Sequence, residues 1–252
     1  MGLFDLPAPL LSWIDQVILG ALPPVVHLVV WGLAGSVLSM GLYKLISPQK
    51  RIGELRFAAV EARRRMAAYD GEFSGLGAVA FTSLGLSFRH VGAILLPAVS
   101  ASLPVICLLA WLSNNYGYRL PVANTVIAIQ IEPSSSAVTW QGEAIPPPGA
   151  SDIAWPPDEG TARLLDAQSR LLVELPLPAA VPIIHKRQWW NHLLGNPIGY
   201  LPVDGPVEKV TLGLQPRTYL DVNPAWLGGW EMIFLTVLFV ASIAIKFAFR
   251  IH

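Results

Sequence analysis

The side chains with the most chemistry in this chain are five histidines, His27, His90, His185, His192 and His252, and a single cysteine, Cys107. A transition-metal centre needs several such ligands at set spacings, for example two histidines one helical turn apart around a glutamate. No such spacing occurs here, and His185 and His192 have no carboxylate to complete a set. One cysteine excludes an intramolecular disulfide framework. The chain has neither a Gly-Lys-Ser/Thr phosphate loop nor a Gly-x-Ser-x-Gly nucleophile elbow. Asp158-Glu159 reads as a turn, not an acid/base pair. The expectation is a protein that is not an enzyme, with no catalytic residues, no metal and no cofactor.

Polar residues inside apolar stretches are more informative, because hydrocarbon makes them costly. Three stretches reach the roughly 20 residues that a bilayer-crossing helix needs: Val25–Ile46, Val91–Ser113 and Trp226–Phe247. The first carries His27, Ser36 and Ser39, the second Ser100 and Ser102, the third Thr236 and Ser242. Two readings stay open. Gly32/Ser36 and Gly35/Ser39 are small-xxx-small pairs that let helices approach closely. Alternatively Ser36, Ser39, Ser100, Ser102 and Ser242 line a polar, partly hydrated groove open to the cytoplasm. Pro97 and Pro104 would each remove a hydrogen bond from the second helix.

Composition agrees with membrane spans. Of 252 residues, 53% are hydrophobic and 13% charged, with mean hydropathy +0.51, which argues against an ordinary cytosolic enzyme. Lys+Arg and Asp+Glu number 17 each, so nothing points to DNA. Residues 1–24 contain Asp5 and Asp15 but no Lys or Arg, so they lack the basic start of a secretory signal. Leu10–Leu22, with Trp13, reads as a short helix lying in the membrane interface. Basic residues concentrate between the first two spans, from Lys44 to Arg89, and after the third. The positive-inside rule then places 47–90 and the C-terminus in the cytoplasm, and residues 1–24 and 114–225 outside. Trp111, Tyr116, Tyr118, Trp226 and Trp230 suit either an outer aromatic belt or ordinary packing.

The cytoplasmic segment 47–90 is expected to form a helical arm. Ser47-Pro48 is a helix start, with Ser47 as cap. Ile52, Leu55, Ala59, Ala62, Met66 and Tyr69 then recur at 3-4-3-4-3 spacing, a short coiled-coil-like seam for packing on the arm's own second half. Asp70-Gly71-Glu72 ends that helix. Phe73–Phe88 reads as a separate amphipathic or membrane-surface helix; as a fourth span it would move 114–225 into the cytoplasm. Arg63, Arg64 and Arg65 form the arm's contact cluster, or simply a solvated face.

Segment 114–225 holds 15 of the 22 prolines, too many for a helical domain. Thr125–Ile131 alternates with Ile127, Ile129 and Ile131 on one face, and Lys209–Leu214 is a second strand. Ala162–Leu165 and Arg170–Leu175 flank a hairpin turn at Asp166–Ser169. A small sandwich-like β domain follows. Lys186–Pro197 reads as a short helix stopped by Gly195 and Pro197, whose Trp189 and Trp190 suit the outer headgroup layer or a docking partner.

The fold class is therefore an α-helical membrane protein, three transmembrane helices (25–46, 91–113, and 226–252 with its tail) plus a cytoplasmic arm, with an inserted β-rich extracytoplasmic domain. Leu42-Tyr43-Lys44 closing the first span, the arm from Ser47-Pro48, and the pieces at 95–112 and 230–251 carry a resemblance to the YidC-type membrane protein insertase superfamily. That group includes the small archaeal YidC-like proteins and the third subunit of the endoplasmic-reticulum membrane protein complex. The resemblance covers about 25–113 and 226–251. It implies a factor that inserts, chaperones or assembles membrane-protein clients through a cytoplasm-facing groove, with lipids, hydrophobic clients and the ribosome as partners. The competing expectation is a non-catalytic accessory subunit docking through its β domain. Abundant Ala, Pro, Gly and Arg suggest a GC-rich bacterium and its inner membrane.

Overall fold

The structure, a computed structural model, describes residues 2–71, 73–133, 138–140, 143–145, 150–155, 161–166, 171–176 and 180–250. Its helices are α1 (Ala8–Val17), α2 (Pro24–Ile46), α3 (Gln49–Ala67), α4 (Phe73–Tyr116) and α5 (Trp230–Ala248). Pro24–Ile46, Gly77–Tyr116 and Trp230–Ala248 are long and apolar enough to cross a membrane. The chain forms two compact units, Met1–Leu28 with Cys107–Ile233 and Val29–Ile106 with Phe234–His252.

The largest departure from the sequence reading is α4. Phe73–Phe88 is not a separate helix but the first part of one 44-residue helix. At 1.5 Å per residue it is about 66 Å long, twice the roughly 30 Å of a hydrocarbon core. The glycines did not divide it, because a glycine costs a helix about 1 kcal/mol against alanine without ending it. Pro97 and Pro104 lie inside the helix, as expected.

In the second unit α3 and α4 form the arm as a helical hairpin, joined through the turn after Ala67. Ile52, Ala59 and Ala62 are buried along the expected seam, whereas Met66 is exposed. Two of the three buried positions carry alanine. Arg63 Nη2 reaches across to Ser87 Oγ at 3.3 Å. Ser47 does not cap α3. Pro48 occupies that position, and the Ser47 hydroxyl is buried without a hydrogen-bond partner.

In the first unit, strands β1 (Val126–Glu132), β4 (Ala150–Ala154), β7 (Ile183–His185) and β8 (Lys209–Leu212) make one antiparallel sheet in the order β4-β1-β8-β7. Strands β2 (Val138–Trp140), β3 (Glu143–Ile145), β5 (Thr161–Asp166) and β6 (Leu171–Pro176) make another, in the order β3-β2-β5-β6. Every pairing in both is antiparallel. The alternation of β1 is borne out: Ile127, Ile129 and Ile131 are buried and their neighbours exposed. They share a core with Ile153, Ile184, Val210 and Leu212, and Leu164 of the second sheet joins them. β5 and β6 pair as expected, while the turn residues 167–169 and Asp158-Glu159 lie outside the described residues.

Two boundaries shift. The helix expected over Lys186–Pro197 is a single 3-10 turn, Trp189–His192. Buried Asn191 closes it locally, its Oδ1 accepting from Gln188 N at 2.7 Å and its Nδ2 donating to Leu194 O at 3.1 Å. α5 starts at Trp230 rather than Trp226, after a 3-10 turn at Ala225–Gly228. Gly228 lets that turn lie against the backbone of Leu220, whose carbonyl a Cβ would strike, and its own carbonyl accepts from Tyr219 N at 2.8 Å.

Candidate functional site

Between the arm helices lies a groove of about 570 Å³. Phe57, Ala58 and Ala62 of α3 and Tyr69 just beyond it line one side, and Ala78, Val79, Thr82 and Leu86 of α4 the other. Glu61 and Arg65 also line it and pair with each other at 3.4 Å, one turn apart on α3. Such an exposed pair contributes only a few tenths of a kcal/mol, so it breaks easily. The arm leaves large apolar side chains in the open, Phe57 at the groove and Phe81 and Phe88 on another face of α4, all 73–78% exposed. Phe81, Leu84 and Phe88 recur at i, i+3 and i+7, one helical stripe. The sequence reading of Phe73–Phe88 as an amphipathic or membrane-surface helix implied an apolar face without naming these residues.

The arginine cluster divides its work. Arg63 binds Ser87 and Arg65 binds Glu61, while Arg64 stands exposed in the last turn of α3, where the helix dipole favours positive charge.

The five serines expected to line a polar groove are not drawn together by any described hydrogen bond. Ser36 is fully buried, and its hydroxyl lies 2.8 Å from Gly32 O and 2.9 Å from Leu238 O. Gly32 lies directly against α5: a Cβ there would come within 2.9 Å of Val237 Cβ and 3.2 Å of Phe234 O. The small-xxx-small reading thus describes how Gly32 and Ser36 are used. Ser100 donates to Leu96 O at 3.0 Å and Ser102 to Val99 O at 2.7 Å, each within its own helix. Ser39 and Ser242 are half-buried.

The first unit holds a polar cluster that the sequence reading did not assemble. Asp15 of α1 accepts from Tyr116 Oη at 2.7 and 2.8 Å. His27 Nδ1 lies 3.1 Å from Asp15 and 2.9 Å from Tyr116 Oη, and His27 Nε2 donates to Leu22 O at 3.1 Å. Trp111 Nε1 donates to Ser12 Oγ at 2.8 Å. Tyr219 Oη donates to Tyr116 O at 2.9 Å, and burial pushes the Tyr219 phenol up to about 12. Trp111, Tyr116 and Trp230 are therefore packing aromatics, buried in the protein, while Trp226 is exposed.

Of the remaining histidines, His185, His192 and His90 stand apart, and His252 lies outside the described residues. The His185 ring packs 5.0 Å from Trp190 and 5.9 Å from Tyr200. His192 Nδ1 is 3.5 Å from Arg187, and His90 Nδ1 is buried without a partner. Among the described residues no three His, Cys, Asp or Glu side chains come together as a metal site would require. Trp189 projects from its 3-10 turn at 78% exposure. Comparison with protein-family models, curated proteins and solved structures found no match to this chain.

Proposed function

We propose that this protein is an insertase-like membrane protein that receives hydrophobic segments of membrane-protein clients on its helical arm and assists their entry into the bilayer. One observation carries the reading: an apolar groove, lined by the exposed Phe57 and bordered by Arg65, sits on a hairpin whose second helix continues into a span-length apolar stretch. An unshielded client segment loses apolar surface to water at about 25 cal/mol per Å² when it docks there. The same helix that lines the groove runs on into this apolar stretch. The resemblance to the YidC-type superfamily adds support, since the order of span, arm, span and final span is the same. In this reading the arm faces the cytoplasm of a bacterium, the β domain faces the periplasm, and the ribosome delivers clients to the arm. Because Ser36 is spent on α5, the client path begins at the arm groove rather than at the serines.

A photocrosslinking amino acid at Phe57 or Phe81, in cells making membrane proteins, is expected to trap several newly made apolar chains. A set of adducts to one abundant, stoichiometric partner instead would establish the accessory-subunit reading, for which the exposed Trp189 on the β domain supplies the docking residue. Adducts to lipid alone would overturn both.

A further inference from the structure

The N-terminal helix α1 is amphipathic in the inverse sense to a helix of a soluble domain. Two of its three polar residues, Ser12 and Asp15, point inward, while Gln16 is exposed. Ser12 accepts from Trp111, and Asp15 is held by Tyr116 and His27. Its apolar residues point out. Leu10, Trp13 and Val17, spaced 3-4 and so on one helical stripe, are 55–64% exposed, and Leu6, just before the helix, is 68% exposed. The acids of this segment, Asp5 and Asp15, are both consumed: Asp5 Oδ2 accepts from Gly2 N and from Gly195 N, each at 2.7 Å. Phe4 N donates to Leu193 O at 2.9 Å, which fixes the segment to the loop after the Trp189 turn. Gly2 permits that contact, since a Cβ would come 2.5 Å from Leu193 O. The outward stripe is left with no charge and with a tryptophan at its middle.

We infer that this stripe is a lipid-facing surface, with α1 lying in the headgroup–acyl boundary of the bilayer and holding the β-bearing unit against it. Lipid is the occupant that the chain's own layout favours. The stripe ends at Val17, and Pro24, seven residues on, opens a helix apolar and long enough to cross a membrane. Chain connectivity therefore keeps α1 at the level where a spanning helix leaves the hydrocarbon. Trp and Leu without charge are the side chains that partition there. The inference does not depend on what the arm binds.

The test uses the full chain with Cys107→Ser, carrying single cysteines at Leu10, Trp13 or Val17, spin-labelled and reconstituted in phosphatidylethanolamine/phosphatidylglycerol vesicles. Phe239→Cys on α5 serves as lipid reference and Asp152→Cys on β4 as water reference. The expected result is that labels at 10, 13 and 17 collide more often with oxygen than with a water-soluble nickel chelate, as at 239 and opposite to 152. Greater access to nickel, or immobilised labels shut off from both quenchers because protein covers them, would overturn the inference. If the label at 239 also behaved like that at 152, the span assignment itself would fail, which separates the two failures. A second readout needs no label: Trp13→Phe is expected to reduce the fluorescence quenched by acyl-brominated lipid, and an unchanged quenched fraction would count against the inference.

Discussion

The contact between α2 and α5 offers the sharpest energetic test, because two neighbouring positions on it should respond very differently. Ser36→Ala removes a hydroxyl that lies 2.9 Å from Leu238 O on α5. Between helices in lipid such a bond is worth about 0.6 kcal/mol, since the separated helix finds other partners. Its Gly32 contact is lost too, but within the same helix, so the cost stays below about 1 kcal/mol. Gly32→Leu is another matter. Its Cβ alone would come 2.9 Å from two atoms of Val237 and 3.2 Å from a backbone oxygen that cannot move aside. Overpacking of this kind costs about 1–3 kcal/mol, and the remaining leucine atoms place it at the upper end. Better helix propensity returns at most about 1 kcal/mol of that. Reversible unfolding in bicelles should therefore rank wild type, Ser36→Ala and Gly32→Leu in that order, with a gap of about 1–2 kcal/mol between the variants. Val237→Gly, added to Gly32→Leu, should recover part of the loss, because it removes the side chain in the way. Equal stability of Gly32→Leu and wild type would show that the helices do not meet at Gly32.

Three further outcomes follow from the first unit. Asp15→Ala leaves the buried Tyr116 hydroxyl and His27 without their shared acceptor and should cost about 1–3 kcal/mol, read as a lower unfolding midpoint and faster proteolysis before Pro24. Ile129→Ala opens a cavity in the β core and should cost about 2–5 kcal/mol in denaturant unfolding monitored by Trp155 emission. Tyr219 ionises less readily folded, at about 12, than unfolded, at 10.0, so between those values the native state keeps a proton that the unfolded state has lost. Its contribution to stability is thus intact below pH 10 and declines as pH rises toward 12; Tyr219→Phe should show a shallower fall over that window, and an identical fall would remove Tyr219 as its source.

Much of this architecture is legible from local pattern. Three apolar stretches announce three span-length helices, since backbone amides can be satisfied in lipid only by helices or closed barrels. The isoleucines at 127, 129 and 131 announce a strand, and Ile52, Ala59 and Ala62 announce the buried side of the arm, because side-chain direction repeats every two residues in a strand and every 3.6 in a helix. What stayed hidden had no local signature. The fusion of Phe73–Phe88 with the following span was obscured by three glycines that look like breaks yet do not end a helix unaided. The Asp15–His27–Tyr116 cluster joins residues as far as 101 positions apart. Whether Ser36 lines a groove or locks α2 to α5 depended on which helix its face would meet. Periodicity tells which side of an element is buried, but only the packed chain decides against what, because partners distant in sequence are chosen by the whole set of surfaces that must be covered at once. So the residue types and their spacing determined the elements and their faces, and tertiary packing alone determined which polar groups were spent on structure and which apolar ones were left outside for another surface.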